Sequence, residues 1–448
     1  MSVAESERKA TRFGQLTKDL ARLRGEAVVD DGESVAFWVP GRIEVLGKHT
    51  DYSGGRSLLC AVERGICVVA HALGDNPPNG RNRGSSLVRI RDANSEATAE
   101  FELAPDVAAV PGHWSNYPIT VARRIAANFS GPMRGADIVF ASDLPHAAGV
   151  SSSSALVVAT FLALSAVNGL PETSEYRDNI QTQEDLAGYL GCVENGLDFK
   201  ALRGHAGVGT FGGSEDQTAI LCSRPNTLVQ YSFCPVRFER AIALPAGYSF
   251  VIAASGVRAE KTGAALEHYN RVSRRLSAGL DCWRRATSRA DLTIGEAIAS
   301  SPDAPDRIRE LFRVAVDSEY PPESLIERFD QFYVEANVII PAAGDALVRR
   351  DLVAFGDLVA QSQRGAERSL ANQIPETITL VHQARELGAV AASAFGAGFG
   401  GSVWALVESL SVETFRCGWA DAYGEAFPKS ALHADFFSTL AGPPAMRL

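Results

Sequence analysis

A mixed α/β protein of two domains is what the sequence predicts, on three observations. An apolar, β-prone segment from Ala136 to Phe140 is followed by a serine run and then by a largely apolar stretch, Leu156 to Val167, that reads as a buried helix. A second strand pattern, Phe250 to Ala254, opens a half of the chain whose patterns are mainly helical. The 448 residues, 46% of them hydrophobic, suffice for two sizeable cores. The expected boundary near Pro235 gives domains of residues 1–235 and 236–448.

In chain order, Glu5 to Arg24 has helical spacing, and Ser34 to Leu46 alternates as a strand before a turn rich in glycine and polar side chains. Gly74 to Ser86, rich in Pro, Gly, Asn and Arg, reads as a surface loop. His113-Trp114-Ser115-Asn116-Tyr117 leads into a helix through Phe129, with the aromatic residues assigned to packing. After the serine helix come a helix at Thr182 to Glu194, a Gly-rich segment from Gly204 to Gly213, and Ser214-Glu215-Asp216-Gln217. Helical patterns follow at Ala264 to Ala286, Pro322 to Ala342, Asp351 to Leu370 and Pro375 to Glu386. A Gly-rich turn, Gly396 to Gly401, then leads into a strand from Ser402 to Glu408.

A formal charge of −10 argues against nucleic acid or an anionic membrane as the main partner, though a local pocket can still be basic. The seven cysteines are scattered, odd in number and without a C-x-x-C pair, which predicts reduced thiols, no structural zinc and a cytoplasmic protein. The N-terminus lacks an apolar leader, and the run after Ser154 is too short to span a bilayer, so a soluble protein is expected.

Two stretches carry chemistry. Leu144 to Ala155 places four consecutive serines at the start of a helix, where unpaired N–H groups and the positive end of the dipole favour a polyanion. Their hydroxyls can also cap the helix or help to ligate Mg²⁺. An ordinary Ser-capped core helix gives the same pattern, so the run alone leaves both readings open. In the second stretch, Pro40 to Gly55, the side chains of Arg42, His49 and Asp51 crowd one glycine-flanked loop, as in small-molecule sites. Gly47-Lys48 imitates the end of a Walker A loop, but Gly41 is one residue too distant and His49 stands where Ser or Thr belongs. Gly207, Gly209 and Gly212, like Gly396, Gly398 and Gly401, form a G-x-G-x-x-G without the strand–helix context and acidic residue of a dinucleotide fingerprint.

Together these pieces resemble the galactokinase family of the GHMP small-molecule kinases. The resemblance rests on G-R-x-x-x-x-G-x-H-T-D-Y-x-G-G at Gly41 to Gly55, S-D-L-P-x-x-x-G-x-S-S-S at Ser142 to Ser153, the Asp216-Gln217 dipeptide, and G-A-G-F-G-G at Gly396 to Gly401. Their order over roughly residues 35 to 430 is far more specific than any single motif.

The resemblance implies a two-domain α/β fold of the GHMP kinase type, with the active site in the cleft between the domains. It implies ATP phosphates on the loop carrying Pro145, Ala147, Gly149, Ser151, Ser152 and Ser153, and Mg²⁺ held by Ser153 and Glu194. The sugar would lie beside Arg42, His49, Asp51, Gly213, Asp216 and, through a longer spacing than usual, Tyr269. Asp216 would be the base for the anomeric hydroxyl, with Arg42 keeping it ionised and stabilising the transferring phosphoryl group. A non-catalytic relative that binds sugar and ATP as a regulatory partner is the alternative, and the retained Arg42, Asp216, Glu194 and serine run argue against it.

Three residues depart from the family pattern: Ala147 replaces a glycine, Glu215 an apolar residue, and Lys48 a glutamate that contacts the C6 hydroxyl of galactose. Lysine occurs at only six positions, so its presence in the motif reads as meaningful. Facing the sugar, Lys48 would favour a uronic acid such as galacturonate. Paired with Glu215, it would leave a neutral galactose-like or arabinose-like substrate.

Overall fold

The structure is a computed structural model. It describes the chain except residues 1–2, 26–33, 74–85, 111, 146–147, 259–263 and 316–318, and except the side chains of residues 3, 4 and 264–269. The loop predicted at Gly74 to Ser86 lies, but for Ser86, outside the described residues.

A long hairpin organises the first sheet: β1 (Ser34–Leu46) runs antiparallel to β2 (Arg56–Ala72). The start of β2 pairs with β6 (Thr227–Ser232), and its end, Ile66 to Ala72, with β5 (Ala136–Ser142). Beyond β5 lie β3 (Leu87–Asp92), in parallel, and β4 (Thr98–Glu102), while β7 (Arg237–Ala243) pairs with β6 and β12 (Met446–Arg447) with β1. β1 is almost wholly buried, and its register slips between Pro40 and Arg42 and again between Glu44 and Leu46. Such irregularities re-aim side chains locally.

One face of this sheet carries α1 (Val3–Arg24), which packs Leu16 and Leu20 near Trp38 and Val139. Other helices of this domain are α2 (Asn116–Asn128), α3 (Ser152–Asn168), α4 (Ser174–Asn179), α5 (Gln183–Asn195) and α6 (Glu215–Cys222). α3 is apolar nearly all round, as a helix inside a core must be. Thr182 caps α5 by accepting the Asp185 N–H at 3.0 Å. Trp114 packs edge-on against Phe140 at 5.8 Å, the packing role expected of it.

In the second sheet β8 (Tyr248–Ala254), β9 (Ala391–Phe395), β10 (Ser402–Glu408) and β11 (Asp435–Thr439) follow the order β11-β8-β10-β9, antiparallel throughout. Pro235, the expected boundary, lies between β6 and β7, both strands of the first sheet; the second sheet starts with β8.

A helical cluster, α7 (Ala264–Thr287), α8 (Ile294–Ala299), α9 (Ala304–Arg313) and α10 (Pro322–Val334), closes around Trp283, Phe312 and Phe329. α10 passes through a π-helical turn, Glu335 to Ile339, into α11 (Ile340–Val348), and α12 (Leu352–Gly365) ends in a second, Ala366 to Leu370. α13 (Pro375–Glu386), α14 (Val412–Ala426) and α15 (Pro428–Ala431) complete the domain, with Leu380, Trp419 and Tyr423 in its core. Ile339, Phe355 and Trp404 belong to the same apolar cluster as the first sheet, so the two domains are packed together beside the cleft. Among the described residues no helix is long and apolar enough to cross a membrane.

Candidate active site

The cleft forms where β1, the turn after it, and the starts of α3 and α6 meet the glycine turn between β9 and β10. Gly41 lets the serine loop rest directly on β1: a Cβ there would lie 2.6 Å from the Leu144 side chain and 2.9 Å from the Val150 carbonyl oxygen. The Arg42 N–H donates to that carbonyl at 3.3 Å. On the other side Gly396 approaches Gly149 so closely that a Cβ would meet the Gly149 carbonyl oxygen at 2.9 Å, and its φ of +80° suits glycine.

Arg42, on the buried strand, reaches across this junction. Its Nη1 donates to the Gly149 carbonyl at 2.5 Å, while Nε and Nη2 stand 2.8 Å and 2.6 Å from Asp216 Oδ1. The guanidinium is buried, and although burial opposes its charge, Asp216, Glu215 and Glu44 hold it above its ordinary pKa. Asp216 sits in the first turn of α6.

That turn is fixed from the motif loop. Asp51 Oδ2 accepts the Glu215 N–H at 3.0 Å, a capping bond that the side chain of Ser214 does not make. Gly213 lies against the same carboxylate, where a Cβ would be 2.3 Å from Oδ2. His49 Nε2 lies 3.1 Å from the Ala397 carbonyl, which can only accept, so Nε2 carries the proton and Nδ1 accepts from Tyr52 Oη at 3.2 Å.

The serines divide their work. Ser151 begins α3 at φ +60°, and its buried hydroxyl has no partner among the described residues. Ser152 and Ser153 are half-buried in the first turn, as is Pro145 before it. The hydroxyl that meets Glu194 is that of Ser154, one residue beyond the predicted Ser153. Ser154 Oγ lies 2.9 Å from Glu194 Oε2 and 3.1 Å from Asp216 Oδ2, and its single proton can serve only one of them at a time. Gln217 adds a 2.7 Å bond to the same Glu194 oxygen. Orphaned hydroxyl, adjacent carboxylate and hard oxygen donors fit a magnesium–phosphate group, which uses few protein ligands. Ala147 lies outside the described residues, as does the side chain of Tyr269.

Lys48 forms no ion pair with Glu215 among the described residues. Its ammonium is buried, is not among the groups that line the cleft, and donates to Ser362 Oγ at 3.1 Å, which in turn donates to Glu335 Oε1 at 2.9 Å. Glu335 also accepts the Gly47 N–H at 3.0 Å. Glu215 instead accepts from Ser57 at 2.6 Å, with its carboxyl pKa pushed up by burial and by Glu44, Asp51 and Asp216. Arg328 holds the loop too, donating to the His49 carbonyl at 2.6 Å and to Tyr52 Oη at 3.1 Å. Sequence reading missed Glu44, Ser154, Arg328 and Glu335. A glutamate flanked by Ile43 and Val45 in a strand was the available signal for the first; no local pattern marks the last two.

Residues 27–72 match the galactokinase galactose-binding signature, residues 116–192 the N-terminal domain of GHMP kinases and residues 345–425 their C-terminal domain. The chain belongs to the galactokinase family of the GHMP kinases. Among galactokinases it is 29% identical to that of Chloroflexus aggregans over 380 residues, 84% of each chain, and 27% identical to that of a Roseiflexus species over 396 residues, 88% of each. Its fold matches the Lactococcus lactis galactokinase solved with galactose at a TM-score of 0.75 and 22% identity, over 97% of this chain and 100% of that one. The signature spans the loop that carries Arg42, His49 and Asp51, the residues found at the cleft.

Proposed function

We propose that this galactokinase-like sugar kinase transfers the γ-phosphoryl group of ATP to the anomeric C1 hydroxyl of galactose or a neutral galactose-like sugar. The observation that carries the reading is the Arg42–Asp216 pair, held at 2.6 Å to 2.8 Å at the junction of the serine loop and the motif loop.

Phosphoryl transfer demands positioning and charge neutralisation more than covalent chemistry. Asp216 accepts the C1 hydroxyl proton as the new P–O bond forms and the bond to ADP breaks. Arg42 aims Asp216 and offers positive charge to the transferring group. The serine loop and the first turn of α3 bind the phosphates, and His49, Asp51, Gly213 and Tyr269 shape the sugar site. Glu194 and Ser153 are the proposed holders of Mg²⁺, which when bound neutralises phosphate charge.

A neutral acceptor is favoured over a uronate. Glu44, Asp51, Glu194, Glu215 and Asp216 all line the cleft, against Arg42 as its guanidinium, and Lys48 engages Ser362. A sugar carboxylate would be opposed by that field.

ATP-dependent phosphorylation of galactose, arabinose, glucuronate and galacturonate, with the product read by phosphorus NMR, tests the reading. Galactose should give a 1-phosphate, and Asp216→Asn should lose about 10²–10⁴-fold in kcat while still binding sugar. Preference for a uronate overturns the neutral acceptor, and binding of sugar and ATP without turnover favours the regulatory alternative.

A further inference from the structure

Of the carboxyl groups lining the cleft, four have their positions explained by protein contacts. Asp216 is held by Arg42, Asp51 by the Glu215 N–H, Glu194 by Gln217, and Glu215 by Ser57. Glu44 is different. It lies on β1 two residues after Arg42, a spacing that puts both side chains on one side of a strand. The residue is 3% exposed; Oε2 accepts the Gly396 N–H at 3.2 Å, whereas Oε1 is buried and has no partner among the described residues. A buried carboxyl oxygen without a partner is costly, and this one borders the cleft. Because Glu44 lines the cleft, a ligand that enters the cleft can supply the missing partner.

We propose that Glu44 is a specificity-determining residue of the acceptor site, with Oε1 hydrogen-bonded to one ring hydroxyl of the bound sugar. This rests on the sugar-kinase reading above. Lys48 acts behind it as a positioning charge: it does not line the cleft, but its ammonium favours the Glu44 carboxylate. The groups facing Glu44 are Lys48 and Arg42, which favour ionisation, Glu335 and Glu215, which oppose it, and the Gly396 N–H. Burial dominates and brings the Glu44 pKa up to about 7, so the carboxyl changes charge near neutral pH.

The test measures kcat/KM for galactose and its 2-, 3-, 4- and 6-deoxy analogues with wild type, Glu44→Ala, Glu44→Gln and Lys48→Met. Wild type should lose about 10–100-fold on the analogue that lacks the bonded hydroxyl. In Glu44→Ala that penalty should collapse while the penalties for the other analogues persist. The wild-type penalty should also grow as pH rises through the Glu44 transition, because the ionised carboxylate is the stronger acceptor. Glu44→Gln should flatten this dependence, and Lys48→Met should move its midpoint upward, since loss of a nearby cation favours the neutral acid. If Glu44→Ala fails to fold, the pH profiles of Glu44→Gln and Lys48→Met carry the test. Persistence of every penalty in Glu44→Ala, or identical pH profiles in all variants, overturns the proposal. Turnover of no sugar by wild type is a separate result: it refutes the sugar-kinase reading and this proposal with it.

Discussion

Gly213→Ala should cripple the enzyme through a residue it touches rather than through anything it binds. The added Cβ would stand 2.3 Å from Asp51 Oδ2, 2.5 Å from its Cγ and 2.8 Å from the Tyr52 nitrogen. Ordinary contact starts at 3.4 Å, so the carboxylate has to retreat by about 1 Å (3.4 − 2.3). That oxygen accepts the Glu215 N–H at 3.0 Å, and Asp216 is the next residue of the same helical turn. A misplacement of about 1 Å at a reacting group costs about 100-fold, which is the expected loss in kcat/KM. Overpacking should cost stability as well, about 1–3 kcal/mol, leaving the fold intact. Steady-state ADP release with galactose, alongside thermal melts, measures both. Because the damage passes through Asp51, adding Gly213→Ala to Asp51→Ala should cost less than about threefold more. A Gly213→Ala enzyme with wild-type kcat/KM, or fully additive losses in the double variant, would refute the reasoning.

Two further perturbations probe the supports of the site. Ser154→Ala removes the hydroxyl between Glu194 and Asp216 and should lower kcat by about 10–100-fold at saturating substrates, as expected for a hydrogen bond to a charged group. An unchanged kcat would show that the hydroxyl only fills space. Arg328→Met empties a fully buried guanidinium site and strands the His49 carbonyl, so stability should fall by at least about 2 kcal/mol. KM for sugar should rise with it, and denaturant titration together with sugar saturation curves checks both effects.

Much of the fold was legible because its pieces obey local rules. The strand Ser34 to Leu46, the helix Pro375 to Glu386 and the strand Ser402 to Glu408 fall where alternation, proline and glycine put them. α10 and α12 read as single long helices and instead end in π-helical turns, which place Glu335 against Gly47 and return the chain toward Asn372. That geometry depends on what the helix packs against, and periodicity carries no record of it. The boundary near Pro235 followed the onset of mainly helical patterns, whereas sheet membership depends on which distant strand β6 and β7 pair with.

The motif loop shows where charge reading from sequence ends. Along β1, Arg42 and Glu44 share a side by simple alternation, so the cleft-facing glutamate could have been inferred from the arginine. Past Leu46 the rule fails, because Gly47 and His49 take φ of +130° and +57° and successive side chains no longer alternate. Lys48 lies between these two turns of the backbone. Its reversed charge was visible in the sequence, but its direction was set by a serine 314 residues away, on a helix of the other domain. The sign of a motif residue therefore predicts ligand charge only where regular backbone fixes the direction of its side chain. By that standard Glu44, on the regular strand, rather than Lys48, is the charge proposed to meet the acceptor.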